Sequence, residues 1–255
     1  MHIPASMLHG QICPVTLAVG TAAVAAAVNF YFRSEQKVAA SRWAGVTALI
    51  FALQMFNFLV ANGASGHLVG GVLAASLLGI PAGILSLSLI LFVQAVFFAD
   101  GAMNAWGANM INMALIGVGG GGLILEFLKA KKMPQTIATG IASFISVVLA
   151  ALSCSAQVVF CGTVPFAAII KAMLPLHMLI GVGEGILTVV LWKILSALLA
   201  TANEKKIFLR LALCCGAALL LSPFASAFPD GLETAAMQLG LNISQTHPFL
   251  NLFQE

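Results

Sequence analysis

Stretch after stretch of this chain is too apolar for water. Runs at 14–32, 43–61, 67–79, 82–99, 105–128, 137–160, 175–200 and 207–228 carry almost no charged side chains, and about 20 such residues in a helix span a bilayer core. Only 7% of the 255 residues are charged, 11 basic and 8 acidic, against about 25% in a soluble domain. A cytosolic enzyme, a secreted domain and a disordered tail are excluded together. The expected fold is all-α: a polytopic membrane helical bundle of about seven transmembrane helices plus a C-terminal eighth. A net charge of +3 is too small and too scattered for nucleic acid, so no nucleic-acid partner is expected. Five cysteines, Cys13, Cys154, Cys161, Cys214 and Cys215, lie in or beside apolar stretches and imply no disulfide framework.

The basic residues orient the spans. Arg33, Lys37 and Arg42 follow the first run, Lys129, Lys131 and Lys132 the fifth, and Lys205, Lys206 and Arg210 the seventh. Placing these three loops in the cytoplasm leaves an even number of crossings between each pair, provided the short run 67–79 also crosses. The N-terminus, the segment 61–66 and the chain after Phe228 then lie outside. No Lys or Arg precedes the first apolar run, so no signal peptide is expected, and Met1 is read as the mature N-terminus.

Small residues punctuate the spans. Ala18, Ala22 and Ala26 recur on one face of the first, suited either to packing within the chain or to a partner helix. Gly117 with Gly119 to Gly122 looks like a phosphate loop, but no Gly-Lys-Ser/Thr follows and the run sits mid-helix, so close helix packing is expected instead.

Polar side chains in a bilayer are functional candidates by default. Few are present: His67 in NGASGH, Asp100 with Asn104, Asn109 and Asn112, and His177 with Glu184, seven apart on one helix face. These last two read as a helix-packing hydrogen-bond pair, with a relay or second metal position as the rival. The first two residues are more informative. A free α-amine on Met1, the amide nitrogen of His2 and its Nδ1 form one short chelate that imposes a plane, suited to Ni(II) or Cu(II). A fourth nitrogen completes the square; His67 is the natural donor and His9 the alternative. His9, Asn62, Ser65, Asp100 and Asn104 are the additional or supporting candidates, holding ligands in place from behind.

At this point the residues resemble a family. Met-His-Ile-Pro at the start, Cys-Pro-Val-Thr at 13–16, Gly-His-Leu-Val-Gly-Gly at 66–71, Phe-Ala-Asp-Gly, Gly-Ala-Asn-Met-Ile-Asn-Met, and His-Met-Leu-Ile-Gly-Val-Gly-Glu-Gly at 177–185 are similar to the CbiM/NikM family. These are the substrate-capture (S) subunits of cobalt and nickel energy-coupling-factor (ECF) ABC transporters. The resemblance covers roughly residues 1–200. It implies a Ni(II) or Co(II) site made by the Met1 amine, the His2 amide and imidazole, and the His67 imidazole, with the metal as transported substrate. It also implies a membrane coupling (T) subunit, cytoplasmic ATPase subunits and a prokaryotic plasma membrane. The eighth run with Phe-Pro-Asp-Gly-Leu-Glu at 228–233 looks like part of the family's small accessory membrane subunit, fused here. The expected division is therefore a metal-binding membrane domain at 1–200 and a C-terminal helix with an extracytoplasmic tail at 201–255, the tail lying away from the site.

The chain lacks a Walker A sequence, so ATP must act through partners. An intramembrane metalloprotease would need His-Glu-x-x-His or an equivalent cluster, and five dispersed histidines do not supply one. An ion-coupled secondary carrier working without an ATPase is the remaining alternative. Planar nitrogen ligation favours nickel over cobalt, while the family includes both.

Overall fold

The computed structural model describes residues 2–35, 37–61, 63–98, 100–162, 164–200, 204–221, 226 and 228–241; the site candidates Met1 and Asn62 and the chain after 241 lie outside these. In order the elements are α1 (Ile12–Arg33), α2 (Ala40–Gln54), β1 (Asn57–Ala61) and β2 (Ala64–His67). There follow α3 (Gly71–Leu78), α4 (Ile80–Phe98), α5 (Met103–Ala130), α6 (Gln135–Phe160), α7 (Phe166–Ala200), α8 (Glu204–Leu221) and α9 (Gly231–Gln238).

Five of these, α1, α4, α5, α6 and α7, are long and apolar enough to cross a membrane among the described residues, fewer than the expected seven plus one. Large apolar side chains such as Phe32, Leu123, Phe127, Phe160 and Ile186 are exposed around them, as a lipid-facing surface requires. The difference lies in the second, third and eighth apolar runs, the eighth giving only a shorter apolar helix, Leu209–Ala218, among the described residues. Run 43–61 is divided: α2 stops at Gln54 and the remainder becomes β1, paired antiparallel with β2, with Asn57 opposite His67 and Leu59 opposite Ser65.

Run 67–79 supplies a half-length helix. At about 1.5 Å per residue the eight residues of α3 reach about 12 Å, well short of a core of about 30 Å. Non-helical backbone over Ala64–Gly70, buried throughout, brings the chain to it. Non-helical backbone at such depth is tolerated where protein surrounds it. Seven of the eight α3 residues are buried, wrapped by α4, α5, α6 and α7.

Glycines set the closest crossings. A Cβ on Gly71 would stand 2.5 Å from the Gly117 carbonyl, one on Gly121 2.6 Å from Val72 Cγ2, and one on Gly122 2.7 Å from Ile80 Cγ1. The Gly-rich run is thus a packing surface for α3 and α4, and its first part is a widened π-helical segment, Met110–Gly120. By contrast Ala18, Ala22 and Ala26 are exposed, and α1 packs through Thr16, Gly20 and Ala27.

The C-terminal elements lie on the bundle. A Cβ at Gly45 of α2 would come within 2.5 Å of Leu211 on α8. Asp230 caps α9 in a reciprocal box with Glu233, and α9 rests on α7. The expectation that the extension lies away from the site is corrected for Phe228–Gln238, for reasons given next.

Candidate metal-binding site

The N-terminal segment is drawn into the bundle by its apolar side chains. Ile3, Met7 and Leu8 are buried, with a single 3-10 turn at Ala5–Met7 between them. Two asparagines satisfy its backbone: Ile3 N–H donates to Asn109 Oδ1 at 2.9 Å, and Asn104 Nδ2 donates to the Leu8 carbonyl at 3.0 Å. His2 is held on the other side by Asp100, whose Oδ1 is 3.0 Å from Nδ1. Gly101, at φ 82°, permits that approach, because a Cβ there would stand 2.9 Å from Asn109 Nδ2 and 3.4 Å from His2 Cβ.

His67 reaches the same place from β2, and the stretch after it is clamped on both sides. Val69 and Gly70 donate their N–H groups to the two carboxylate oxygens of Glu184 on α7, at 2.7 and 2.8 Å. Gln54 Nε2 donates to the Val69 carbonyl at 2.8 Å, and Gln94 Nε2 donates to Gln54 Oε1 at 2.9 Å. All three clamping side chains are buried. Gly70 takes the left-handed conformation at φ 73° that the turn into α3 demands.

The two imidazoles stack, ring centroids 5.3 Å apart and planes 16° from parallel. His67 Nδ1 lies 3.1 Å from the Leu68 carbonyl, which places the ring proton there and the lone pair on Nε2. Burial, and after it the cationic groups alongside, His2 among them, hold His67 down at about 3, so it stays neutral. Burial works against ionisation of Asp100, but the charge and hydrogen bond of His2 outweigh it and hold its carboxyl below the usual range. The result is one neutral nitrogen donor, a second imidazole within hydrogen-bond distance of a carboxylate, and that carboxylate held ionised beside both.

Of the supporting candidates, Asp100 and Asn104 hold the N-terminal segment as described, while His9 is exposed. Ser65 serves the hairpin: its N–H donates to the Pro229 carbonyl at 2.8 Å and its Oγ–H to the Phe228 carbonyl at 2.7 Å. This brings Asp230 beside His67. The expected His177–Glu184 pair does not form. Glu184 binds the Val69 and Gly70 amides, and His177 Nδ1 donates to the Met173 carbonyl one turn back, at 2.8 Å. Sequence reasoning missed Gln54, Gln94 and Asp230. The two glutamines lie within or beside apolar runs, where any polar side chain is a signal.

Fold and site together define a multi-pass membrane protein built around a buried histidine pair. The chain belongs to the CbiM family, described as the cobalt uptake substrate-specific transmembrane region, whose profile matches residues 2–202. It is 33% identical over 253 residues, 94% of this chain and 83% of the relative, to a protein of Archaeoglobus fulgidus named as a fused nickel transport protein NikMN. It is 39% identical over 124 residues to the fused nickel transport protein NikMN of Rhodobacter capsulatus; that match spans 46% of this chain and 34% of the relative. A crystal structure of a truncated transition metal transporter superposes with a TM-score of 0.70 at 29% identity, covering 77% of this chain and 99% of that one. The family is one of metal transport proteins rather than enzymes.

Proposed function

We propose that the chain is the substrate-capture subunit of an energy-coupling-factor transporter, taking Ni(II), or Co(II), at an extracytoplasmic site for import driven by a membrane coupling subunit and cytoplasmic ATPases. The metal is held by the Met1 amine, the His2 amide nitrogen and Nδ1, and His67 Nε2. The observation that carries this reading is the stacked pair of His2 and His67, brought together from distant parts of the chain. The backbone nitrogens of the terminus complete the set in this reading, beside the two imidazoles. On binding, the cation takes the place of the proton between His2 Nδ1 and Asp100, and Asp100 balances its charge. Square nitrogen ligation makes nickel the preferred ion.

The test is Ni(II) titration of purified protein with a free and an acetylated N-terminus, beside His2→Ala and His67→Ala. Acetylation and each substitution should abolish tight binding while thermal unfolding stays close to wild type. Equal affinity in the free and acetylated forms would remove the terminal chelate. Metal uptake by vesicles containing this chain alone, without ATPase, would replace the subunit role with that of a secondary carrier.

A further inference from the structure

The C-terminal segment is built into one side of the site. Leu232, Ala235 and Ala236 of α9 are buried in the same apolar cluster as Ile3, Met7 and Leu8 of the N-terminal segment. Just before α9, Ser65 fastens the Phe228 and Pro229 carbonyls to the hairpin. A Cβ at Gly231 would stand 2.8 Å from His177 Cε1, so α9 begins hard against α7. Between these anchors Asp230 is fixed in place, lining the same small cavity as His67.

The two oxygens of Asp230 are not equivalent. Both capping bonds, from the N–H groups of Leu232 and Glu233 at 2.8 Å each, fall on Oδ1, so the cap uses one oxygen and Oδ2 is left to serve another donor. Burial works against the Asp230 charge, but the terminal ammonium, the Glu233 N–H and His67 outweigh it and hold the carboxyl below the usual range. The chain confines that ammonium to this end of the site. Consecutive Cα atoms are about 3.8 Å apart, and the residue next to the terminus is His2, whose ring stacks on His67.

We infer that Asp230 is a positioning residue for capture, its Oδ2 holding the Met1 amine beside His67 so that the chelate is oriented before the cation arrives. This role rests on the capture reading for its purpose. In the metal-free protein the carboxylate accepts from the ammonium. When Ni(II) or Co(II) takes the nitrogen, one proton leaves and a remaining N–H still donates to Asp230. Asp100 holds the His2 imidazole, and Asp230 does the same for the amine, so two carboxylates from distant parts of the chain aim the two ends of one chelate. A helix cap alone would account for Oδ1 but gives Oδ2 and the negative charge no task.

The experiment is a cycle on the full chain in detergent, with free and acetylated N-termini, each as wild type and as Asp230→Asn. Asn caps a helix about as well as Asp, so α9 is kept while the charge is lost. Without metal, Asp230→Asn should lower the unfolding temperature of the free form and leave the acetylated form unchanged, because there the ammonium is already gone. Equal drops in both forms would reduce Asp230 to a cap and overturn the inference. Ni(II) calorimetry on the free forms should show about tenfold or greater weakening in Asp230→Asn; an unchanged Kd overturns the positioning role. Failure of the capture reading looks different: acetylated wild type would then bind Ni(II) as tightly as the free form, which removes the purpose of the contact even where the unfolding cycle shows the contact itself. If Asp230→Asn does not fold, Asp230→Ser, an equally good cap, replaces it in the same cycle with the same readings.

Discussion

Replacing Glu184 tests whether the site depends on a side chain that does not touch the metal. Its carboxylate accepts the N–H groups of Val69 and Gly70 at 2.7 and 2.8 Å, in a region closed to water. In Glu184→Ala both donors are orphaned at roughly 1–3 kcal/mol each, about 2–6 kcal/mol in all. Glu184→Gln is milder: its amide oxygen keeps one N–H and its NH2 opposes the other, for about 1–3 kcal/mol. Because His67 leans on the Leu68 carbonyl immediately before this clamp, a loosened loop also misplaces Nε2. Loss of such outer support typically costs about 10–100-fold in metal affinity, or about 1.4–2.7 kcal/mol. Calorimetry with Ni(II) and thermal unfolding in the same detergent read the two effects separately. Combining Glu184→Gln with Gln54→Ala, which frees the carbonyl of the same Val69, should give less than the sum of the single losses. Wild-type affinity and wild-type unfolding temperature in Glu184→Gln would refute the reasoning.

Acid should destabilise the metal-free protein. His67 sits at about 3 in the fold against 6.5 ordinarily, so the unfolded chain takes up a proton that the folded chain refuses. Stability is therefore full above about pH 6.5 and falls as pH drops toward about 3; a His67→Gln protein with the same slope in unfolding temperature over that window would contradict this. Asp100→Asn should weaken Ni(II) binding by about three- to tenfold, a modest effect because the carboxylate is 39% exposed and partly screened; an unchanged Kd would leave Asp100 no electrostatic part. Gly71→Ala should lower the unfolding temperature sharply, since its Cβ would press on the Gly117 carbonyl at 2.5 Å, where backbone has little room to give; an unaltered melting curve would show that α3 and α5 can separate freely.

Much of the bundle was legible because lipid reads the chain as hydropathy does. Runs 105–128 and 137–160 correspond to α5 and α6 to within two residues at either end, and run 175–200 to α7, which begins earlier, at Phe166. Hydropathy fails where apolar backbone is covered by protein instead of lipid. Run 43–61 looks like a span, yet its second half is a strand. The Asn62-Gly63 dipeptide that follows is a strong two-residue hairpin signal, masked by the apolar residues around it. The pairing of His2 with His67 could be anticipated from orientation and resemblance. The clamp on Val69 could not, because Gln54, Gln94 and Glu184 are far apart in sequence and meet only after α2, α4 and α7 have packed. Equally, nothing local in Phe-Pro-Asp-Gly shows that its carbonyls will receive Ser65.

The shortness of α3 has a consequence for biogenesis. Eight apolar residues cannot partition into a membrane alone, so during synthesis this segment must wait, or enter as a hairpin with α4, until later helices emerge to shelter its bare backbone. Glu184, which fastens the turn above it, is supplied by α7, the last of the five long spans to be translated. The site proposed for cargo thus takes shape only in a nearly finished chain. A truncated or stalled product would be inserted in part yet remain blind to metal, and cargo binding would report on completed assembly.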